Sequence, residues 1–189
     1  MKRLLLILIL TFSFQSWTKA DDISEFEIEG IALGDSALDY FSEEKIKLNS
    51  QNFFRNKKYT PVQNYKLSFF ETYDFFDFRF LTGDKNYIMH SISGIVNFEN
   101  KEYSECLNLS EKITNEIKDL MPNTKMEDHG NDIKTSGSPG TYSQKTFWTE
   151  DGFITVNCYN YDDKESSMDH LSVTIANKEY EDFITNDPY

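Results

Sequence analysis

Residues 101–121, KEYSECLNLSEKITNEIKDLM, carry the strongest helical pattern in the chain. Five of these residues recur at spacings of four, three, four and three: Cys106, Ser110, Ile113, Ile117 and Leu120. This spacing places the five side chains on one narrow stripe of an α-helix. Pro122 then ends the pattern. The sequence therefore predicts a long amphipathic helix with Cys106 on its buried stripe.

Cys158, the other cysteine of the chain, lies in a strand-like run over residues 153–161. Ile154, Val156 and Cys158 occupy alternate positions there, so their side chains share one face of a strand. In an oxidising compartment an even number of cysteines favours pairing. The alternative, a catalytic or metal-binding thiol, lacks any C-x-x-C spacing. We therefore predict a disulfide between Cys106 and Cys158 across a helix–sheet interface.

Strand-like patterns occur on both sides of the helix. They cover residues 66–70, 75–81 and 87–98 before it, and residues 142–149, 153–161 and 171–175 after it. Short turns such as TGDKN at 82–86 separate neighbouring runs, so the strands are expected to pair as antiparallel. Residues 51–64, which contain Pro61, and the polar residues 122–141 are expected to form loops.

The expected fold class is α+β with two layers. An antiparallel sheet of about five to six strands is covered on one face by the long helix at about residues 101–121. Two short N-terminal helices are expected at about 36–41 and 43–50, each preceded by a capping residue. The acidic segment 162–169 is expected to be a turn, and the C-terminal end carries only a weak pattern.

The first twenty residues, MKRLLLILILTFSFQSWTKA, have the pattern of a secretory signal peptide. Two basic residues precede an apolar run over residues 4–10, and Ala20 supplies a small residue at the cleavage point. The run is shorter than the roughly 20 apolar residues that cross a membrane. We therefore expect cleavage after Ala20, a single α+β domain over residues 21–189, and no membrane span after signal cleavage.

The chain is strongly acidic, with a formal net charge of −13 at pH 7. Contacts with nucleic acids and anionic lipids depend on Lys and Arg that neutralise phosphates, so this charge argues against a nucleic-acid partner. Arginine occurs only as Arg3, Arg55 and Arg79, while Lys, Asn and Ile are abundant. This composition is typical of AT-rich bacterial genomes, and the expected location is the periplasm or outside the cell.

A Gly-Asp-Ser sequence at Gly34, Asp35 and Ser36 resembles the nucleophile motif of the GDS-type esterases. Such an esterase also needs a base, an orienting carboxylate and oxyanion donors. The nearest matches, HGND at 129–132 and MDHL at 168–171, lack the family's spacing. A helix cap at Asp35 or Ser36 explains these residues without any catalytic role. No catalytic residue is predicted, and a Ser36 esterase is kept as an alternative.

Metal and cofactor motifs are weak in this sequence. His129 lies among three carboxylates, but their spacing matches no metal-binding pattern, and a solvated loop is favoured. The acidic segment NYDDKESSMD at 160–169 lacks the spacing of a calcium-binding loop. Neither a phosphate-binding loop nor a dinucleotide fingerprint is present. We therefore predict no metal site and no cofactor.

Aromatic residues are concentrated just before the long helix. Six phenylalanines fall within twelve residues: Phe69, Phe70, Phe75, Phe76, Phe78 and Phe80. Phe75 and Phe76 are neighbours on a predicted strand and therefore point to opposite faces of the sheet. Phe69, Phe70 and Phe75 are accordingly a candidate interaction surface. The alternative is a second small apolar cluster beneath the 51–64 segment or the C-terminal tail.

The segment DDISEFEIEGIALGDSALDYFSEEKI at 21–46 resembles the opening of a group of exported proteins from AT-rich free-living bacteria. That resemblance implies a shared strand-rich fold and assigns no activity. The segment IALGDSALDYF at 31–41 is also similar to the helix start in small envelope-assembly lipoproteins and secreted β-lactamase-inhibitor domains. Those proteins contain helix–helix–three-strand units. The order of predicted elements here suggests a duplicated unit of this kind.

These observations favour a non-catalytic exported binding or protein-interaction module of the bacterial envelope. It is expected to contain one disulfide and to act through a surface on its sheet. Its partner is a protein or a small ligand that the sequence does not identify. Two alternatives remain, the Ser36 esterase and an inhibitor of an extracellular enzyme whose basic cleft the acidic surface would block.

Overall fold

The structure is a computed structural model that describes residues 23–66, 70–98, 103–135, 139–162 and 168–186. Several predictions fall outside these ranges: the signal peptide at 1–20, Phe69, and most of the segments at 66–70 and 162–169. Within the described ranges the chain has an α+β fold built around one antiparallel sheet. The fold class is confirmed at this level, and the number of strands differs.

The described part of the main sheet has eight strands, against the five to six predicted. They are β3 (Tyr59–Tyr65), β4 (Phe75–Leu81), β5 (Met89–Asn97), β6 (Lys125–Asp128), β7 (Ile133–Lys134), β8 (Gly140–Trp148), β9 (Gly152–Tyr161) and β10 (His170–Asn177). The strand order is β3-β4-β5-β10-β9-β8-β6, and β7 also pairs with β8. A separate two-stranded hairpin consists of β1 (Glu27–Ile28) and β2 (Ile31–Ala32).

Two three-stranded meanders, β3-β4-β5 and β8-β9-β10, meet in the middle of the sheet. Their last strands pair with each other, and Ile92 of β5 lies opposite Ile175 of β10. The turn between β4 and β5 is the predicted one, with Gly83 at φ +86°, a conformation that favours glycine. The main sheet thus joins the two halves of the chain edge to edge.

The helices described in the structure are α1 (Glu43–Asn49), α2 (Tyr103–Leu120) and α3 (Lys178–Asn186). Helix α2 corresponds to the predicted long helix. The two short N-terminal helices are a 3-10 helix over Ala37–Asp39 and α1. Ser42 begins α1 by accepting a hydrogen bond from Lys45 N, as an N-cap does.

Helix α2 and the N-terminal segment cover the same face of the sheet, which we call the first face. The buried residues of α2 are Cys106, Ser110, Thr114 and Ile117. The predicted stripe differs at its end, because Leu120 is 46% exposed. Thr114 is buried instead, and its hydroxyl donates to Ser110 O at 2.7 Å, so the helix satisfies it internally.

The structure contains the predicted disulfide between Cys106 of α2 and Cys158 of β9. Their Cα atoms are 5.9 Å apart, and both residues are fully buried. Cys158 shares the first face with Ile154 and Val156, as the alternation of the strand predicts. The bridge therefore joins α2 to the sheet inside the apolar core.

Phenylalanines of β4 form the other half of this core. Phe76, Phe78 and Phe80 alternate along the strand and are buried on the first face. The ring of Phe41 stacks on that of Phe78, with centroids 5.4 Å apart and planes at 9°. The phenylalanine-rich stretch thus contributes mainly to the core, and it anchors the N-terminal segment there.

Two segments predicted as loops are strands at the edges of the sheet. Residues 51–64 contain most of β3, and residues 122–141 contain β6 and β7. Pro61 does not interrupt β3 because an edge strand has one side without ladder hydrogen bonds. Its carbonyl also accepts a hydrogen bond from Gln51 N at 2.7 Å. The loop predictions were wrong because both segments are polar and the first contains Pro61.

The C-terminal end, which carried only a weak pattern, forms α3 on the opposite side of the sheet, the second face. Tyr180 and Phe183 lie one turn apart on α3 and are buried. They pack in a second apolar cluster with Phe54, Tyr59 and Phe153. This cluster covers one end of the second face, and the remainder of that face carries mostly polar side chains.

Candidate functional site

Ser36 is the N-cap of the 3-10 helix Ala37–Asp39. Its Oγ accepts a hydrogen bond from Leu38 N at 3.2 Å and donates one to Asn86 O at 2.6 Å. Both contacts fix the backbone at the point where the N-terminal segment meets the β4–β5 turn. The hydroxyl therefore has a structural role in this arrangement.

Asp35 belongs to the same local network. Its Oδ2 accepts hydrogen bonds from Ala32 N at 3.0 Å and from the Tyr40 hydroxyl at 2.6 Å. The hydrogen bond to Asp35, together with burial, raises the pKa of Tyr40 to about 12. The Gly-Asp-Ser stretch is thus a hydrogen-bonded turn at the start of a helix.

The histidines lie on strands of the main sheet or next to them, and His90 is two residues from Ile88, which pairs with Ser36 in an isolated β-bridge. His90 Nδ1 is 3.0 Å from Asn177 Nδ2, His129 follows β6, and His170 begins β10. Among the hydrogen bonds of the described residues, none joins a histidine to Ser36. Within the described residues, the partners of the Ser36 hydroxyl are therefore backbone groups, and no histidine there is hydrogen-bonded to it as a general base.

Replacing Ser36 with alanine is expected to lower the free energy of unfolding by about 1 kcal/mol, because the helix loses its cap. Urea denaturation measures this loss, and Ser42→Ala, which removes the cap of α1, is the matched control. A fluorophosphonate probe is expected to leave the protein unlabelled. Labelling that disappears in Ser36→Ala and persists in Ser42→Ala would establish a Ser36 esterase instead.

The candidate aromatic surface is divided between the two faces. Phe70 packs on the first-face core, with its ring centroid 5.7 Å from that of Phe76. Phe75 is half-buried on the second face, opposite Ile95. Phe69 lies outside the described residues. The structure thus does not bring Phe70 and Phe75 together.

A row of polar side chains crosses the second face through five neighbouring strands. Paired positions run from β4 to β8 in the order Asp77, Ser93, Thr174, Thr155 and Thr146. Every member of this row is buried or half-buried. A buried row of hydroxyl groups on a sheet is unusual, because such positions normally hold apolar side chains or face water.

This row forms part of the floor of a pocket between the sheet and α3. The pocket has a volume of about 290 Å³. Its polar floor includes Arg79, Ser91, Ser93, Gln144, Asn157 and Thr174. Its apolar wall consists of Trp148, Phe153, Tyr180 and Ile184. We call it the second-face pocket.

Arg79 lies at the β4 side of the second-face pocket. Its Nη1 donates to Ser93 Oγ at 3.1 Å, and its Nη2 is 3.9 Å from Asp77 Oδ2. Ser93 Oγ and Thr174 Oγ1 are 2.8 Å apart, which extends the network across the seam between β5 and β10. The guanidinium is thus held by a chain of side-chain contacts.

Three buried polar atoms of the second-face pocket have no hydrogen-bond partner within the described part of the chain: Arg79 Nε, Ser91 Oγ and Asn157 Oδ1. Ser91 is 1% exposed and Asn157 is 8% exposed. Buried polar atoms are nearly always paired in native proteins, so unpaired ones that line a cavity mark it as a candidate site.

The charges around the second-face pocket nearly balance. Arg79 has Asp77 as its neighbour, and Glu181 lines the pocket from α3. Glu181 also pairs with Lys178, whose Nζ is 2.6 Å from Glu181 Oε1. The arrangement therefore presents a nearly neutral, strongly hydrogen-bonding site.

Four aromatic rings adjoin the second-face pocket at its other end: Tyr142, Tyr159, Tyr161 and His170. Tyr159 stacks on His170 with centroids 4.6 Å apart, and on Tyr142 at 5.2 Å. Burial raises the pKa of Tyr159 to about 12 and lowers the pKa of His170 from 6.5. Burial thus disfavours the charged forms of Tyr159 and His170.

Sequence reasoning missed this pocket. Its only signal was that Ser, Thr and Asn alternate with apolar residues on β5, β9 and β10, as they also do on a solvated face. Within the described ranges, no group of three or more His, Cys, Asp or Glu residues is arranged to hold a metal ion. None of the helices described there is long and apolar enough to cross a membrane.

Comparisons of the chain with protein-family models, with curated proteins and with solved structures each find no match.

Proposed function

We propose that the protein is a non-catalytic binding module that takes a small polar ligand in the second-face pocket. The disulfide supports an oxidising compartment, which agrees with export to the periplasm or the medium. The proposal keeps the expectation that the molecule acts through a surface on its sheet. It moves that surface from the phenylalanines to the polar side of β4, β5, β8, β9 and β10.

The observation that supports this proposal is the set of three unpaired buried atoms, Arg79 Nε, Ser91 Oγ and Asn157 Oδ1. A buried polar group without a partner costs about 1–3 kcal/mol of stability. A ligand that supplies the missing partners recovers this cost as binding free energy. The three unpaired atoms thus lower the stability of the protein without a ligand and favour its ligand-bound form.

The position of the second-face pocket also supports binding. Its floor is built on central strands of the sheet, and Arg79 is held by Ser93 and the neighbouring Asp77. Side chains fixed in this way lose little conformational entropy when a ligand arrives. The wall residues Phe153 and Tyr180 are buried in the second cluster, so the shape of the cavity is fixed as well.

Two-dimensional NMR of the ¹⁵N-labelled protein tests the proposal. We expect at least one of three probe groups, neutral saccharides, small oxyanions or free amino acids, to shift the amide signals of the pocket strands. The apparent Kd for that group is expected to rise about tenfold in Arg79→Lys, which keeps the charge but removes the Nε–H donor. Arg55→Lys is the matched control, because Arg55 is exposed outside the pocket.

The proposal fails if no probe group shifts the pocket signals. It also fails if the shifts appear elsewhere, such as around Ser36, or if Arg55→Lys weakens binding as much as Arg79→Lys does. The two arginine variants need equal free energies of unfolding in urea, within about 0.5 kcal/mol, so that a difference in binding is not a difference in folding.

A further inference from the structure

We propose that the ligand of the second-face pocket is a neutral polyhydroxylated molecule, a saccharide unit of monosaccharide size. This inference rests on the proposed binding function and specifies the chemistry of the ligand. It follows from the hydrogen-bonding character of the unpaired atoms, from the charges around them and from the apolar wall.

The unpaired atoms require both hydrogen-bond donors and hydrogen-bond acceptors from a ligand. Arg79 Nε–H donates only, Asn157 Oδ1 accepts only, and Ser91 Oγ does either. Arg79 and Ser91 lie opposite each other on β4 and β5, whereas Asn157 lies two strands and four residues away from Ser91, on β9. A carboxylate, sulfate or fully ionised phosphate only accepts hydrogen bonds, so it pairs with Arg79 Nε–H but donates nothing to the hydroxyl oxygens of the floor. A sugar hydroxyl donates and accepts through one oxygen, so adjacent hydroxyls of one ring pair with Arg79 Nε–H and Ser91 Oγ together.

The charges point to the same class of ligand. The positive charge of Arg79 is offset by Asp77, 3.9 Å away, and Glu181, which lines the pocket, pairs with Lys178. An anion that pairs with Arg79 thus competes with the Asp77 carboxylate and meets the Glu181 carboxylate of the pocket lining. A cation meets the guanidinium in the same space. A neutral ligand avoids both repulsions, and Arg79 serves it as a planar hydrogen-bond donor.

The wall of the pocket supplies an apolar surface beside the polar floor. The Trp148 indole is held in place because Nε1 donates to Glu127 Oε2 at 2.9 Å. Its ring packs near Phe153, with centroids 5.9 Å apart, and Ile184 of α3 lines the same wall. A pyranose ring carries hydroxyls around its edge and C–H groups on its faces. It therefore matches a floor of hydrogen-bonding groups with aromatic rings beside it.

The size of the pocket limits the ligand. Its volume of about 290 Å³ lies at the lower end of the range of small-molecule sites, which is about 300–1,000 Å³. This space suits a single pyranose ring, or the terminal ring of a longer glycan with its remainder in solvent. For such a small ligand we expect a Kd of roughly millimolar order.

The test titrates the ¹⁵N-labelled protein separately with glucose, galactose, N-acetylglucosamine, sodium sulfate and glycine, and follows the amide and Trp148 indole signals. We expect at least one of the three saccharides to shift signals of the pocket strands and the Trp148 indole. Sulfate and glycine are expected to leave them unchanged at equal concentration.

Ser91→Ala and Ser110→Ala are the paired variants for this test. Ser91→Ala removes an unpaired hydroxyl of the pocket, so we expect about tenfold weaker saccharide binding and no loss of folding stability. Ser110 is also buried, at 2% exposure, but it lies on α2 against the first face and does not line the pocket. Its alanine variant is therefore expected to bind as the unaltered protein does.

Each other result overturns the inference in a distinct way. Pocket shifts with sulfate or glycine but with none of the saccharides contradict the saccharide ligand and leave the binding function standing. An unchanged saccharide affinity in Ser91→Ala places the ligand elsewhere and contradicts the inference. Absence of pocket shifts with all five probes contradicts both the saccharide ligand and the proposed function.

Discussion

Replacing both Cys106 and Cys158 with alanine is expected to lower the free energy of unfolding by about 4 kcal/mol or more. The bridge joins residues 52 positions apart, and the loop-closure entropy of a chain segment of that length corresponds to about 4 kcal/mol at 25 °C. Both cysteines are fully buried, so alanine also leaves space in the core and adds to the loss. Urea denaturation of the two proteins measures the difference.

A comparison that separates these contributions uses the unaltered protein in its oxidised and reduced forms. Reduction after unfolding, followed by refolding with the thiols blocked from reoxidation, removes the bridge and keeps the sulfur atoms. We expect most of the loss to appear in this reduced form. A reduced protein as stable as the oxidised one would contradict the stabilising role of the bridge.

Phe78→Ala is expected to cost about 3–5 kcal/mol of unfolding free energy. Phe78 is fully buried on β4, and its ring contacts the rings of Phe41, Phe76 and Phe80. Alanine leaves a cavity that these neighbours cannot fill without moving the sheet or the N-terminal segment. Thermal and urea unfolding, followed by circular dichroism, measure the loss.

Leu48→Ala is the control for Phe78→Ala. Leu48 lies on α1 and is 80% exposed, so its alanine variant is expected to stay within about 0.5 kcal/mol of the unaltered protein. A loss below about 1 kcal/mol for Phe78→Ala would show that Phe78 does not occupy the packed core described here.

The central part of the fold could be predicted from the sequence because its patterns are strong. Strand β4 alternates Phe76, Phe78 and Phe80 with Asp77 and Arg79, and such alternation requires one buried face. The helical stripe placed Cys106 on the buried side of α2, and the alternation along β9 placed Cys158 on the first face. The sequence therefore predicted that the two cysteines meet. Apolar periodicity thus located the elements that build the first-face core.

The edges of the fold were predicted incorrectly because burial there is one-sided or supplied by distant residues. Pro61 indicates a loop in most contexts, and only an edge strand accommodates it. Helix α3 carries just two buried apolar residues, Tyr180 and Phe183. Its position depends on Phe54 and Phe153, which are far away in the sequence.

The second-face pocket could not be predicted from the sequence because its residues converge only through strand pairing. Ser93 and Thr174 are 81 residues apart, yet their hydroxyls contact each other. In the sequence, Ser93 and Thr174 each also match the pattern of a strand that has one face in solvent. The burial that makes them unusual comes from α3, which the sequence did not reveal.

The seam between β5 and β10 governs when the second-face pocket forms during folding. Each meander consists of hairpins between strands that are close in sequence. Pairing of the two meanders must bring together the Ser93 and Thr174 hydroxyls, which are 81 residues apart. Such long-range closure is the slow part of folding in proteins of high contact order. Arg79 and Ser91 come from one meander and Asn157 and Thr174 from the other. Under the proposed function, a ligand recognises only the fully closed chain, and its binding free energy slows the reopening of this seam.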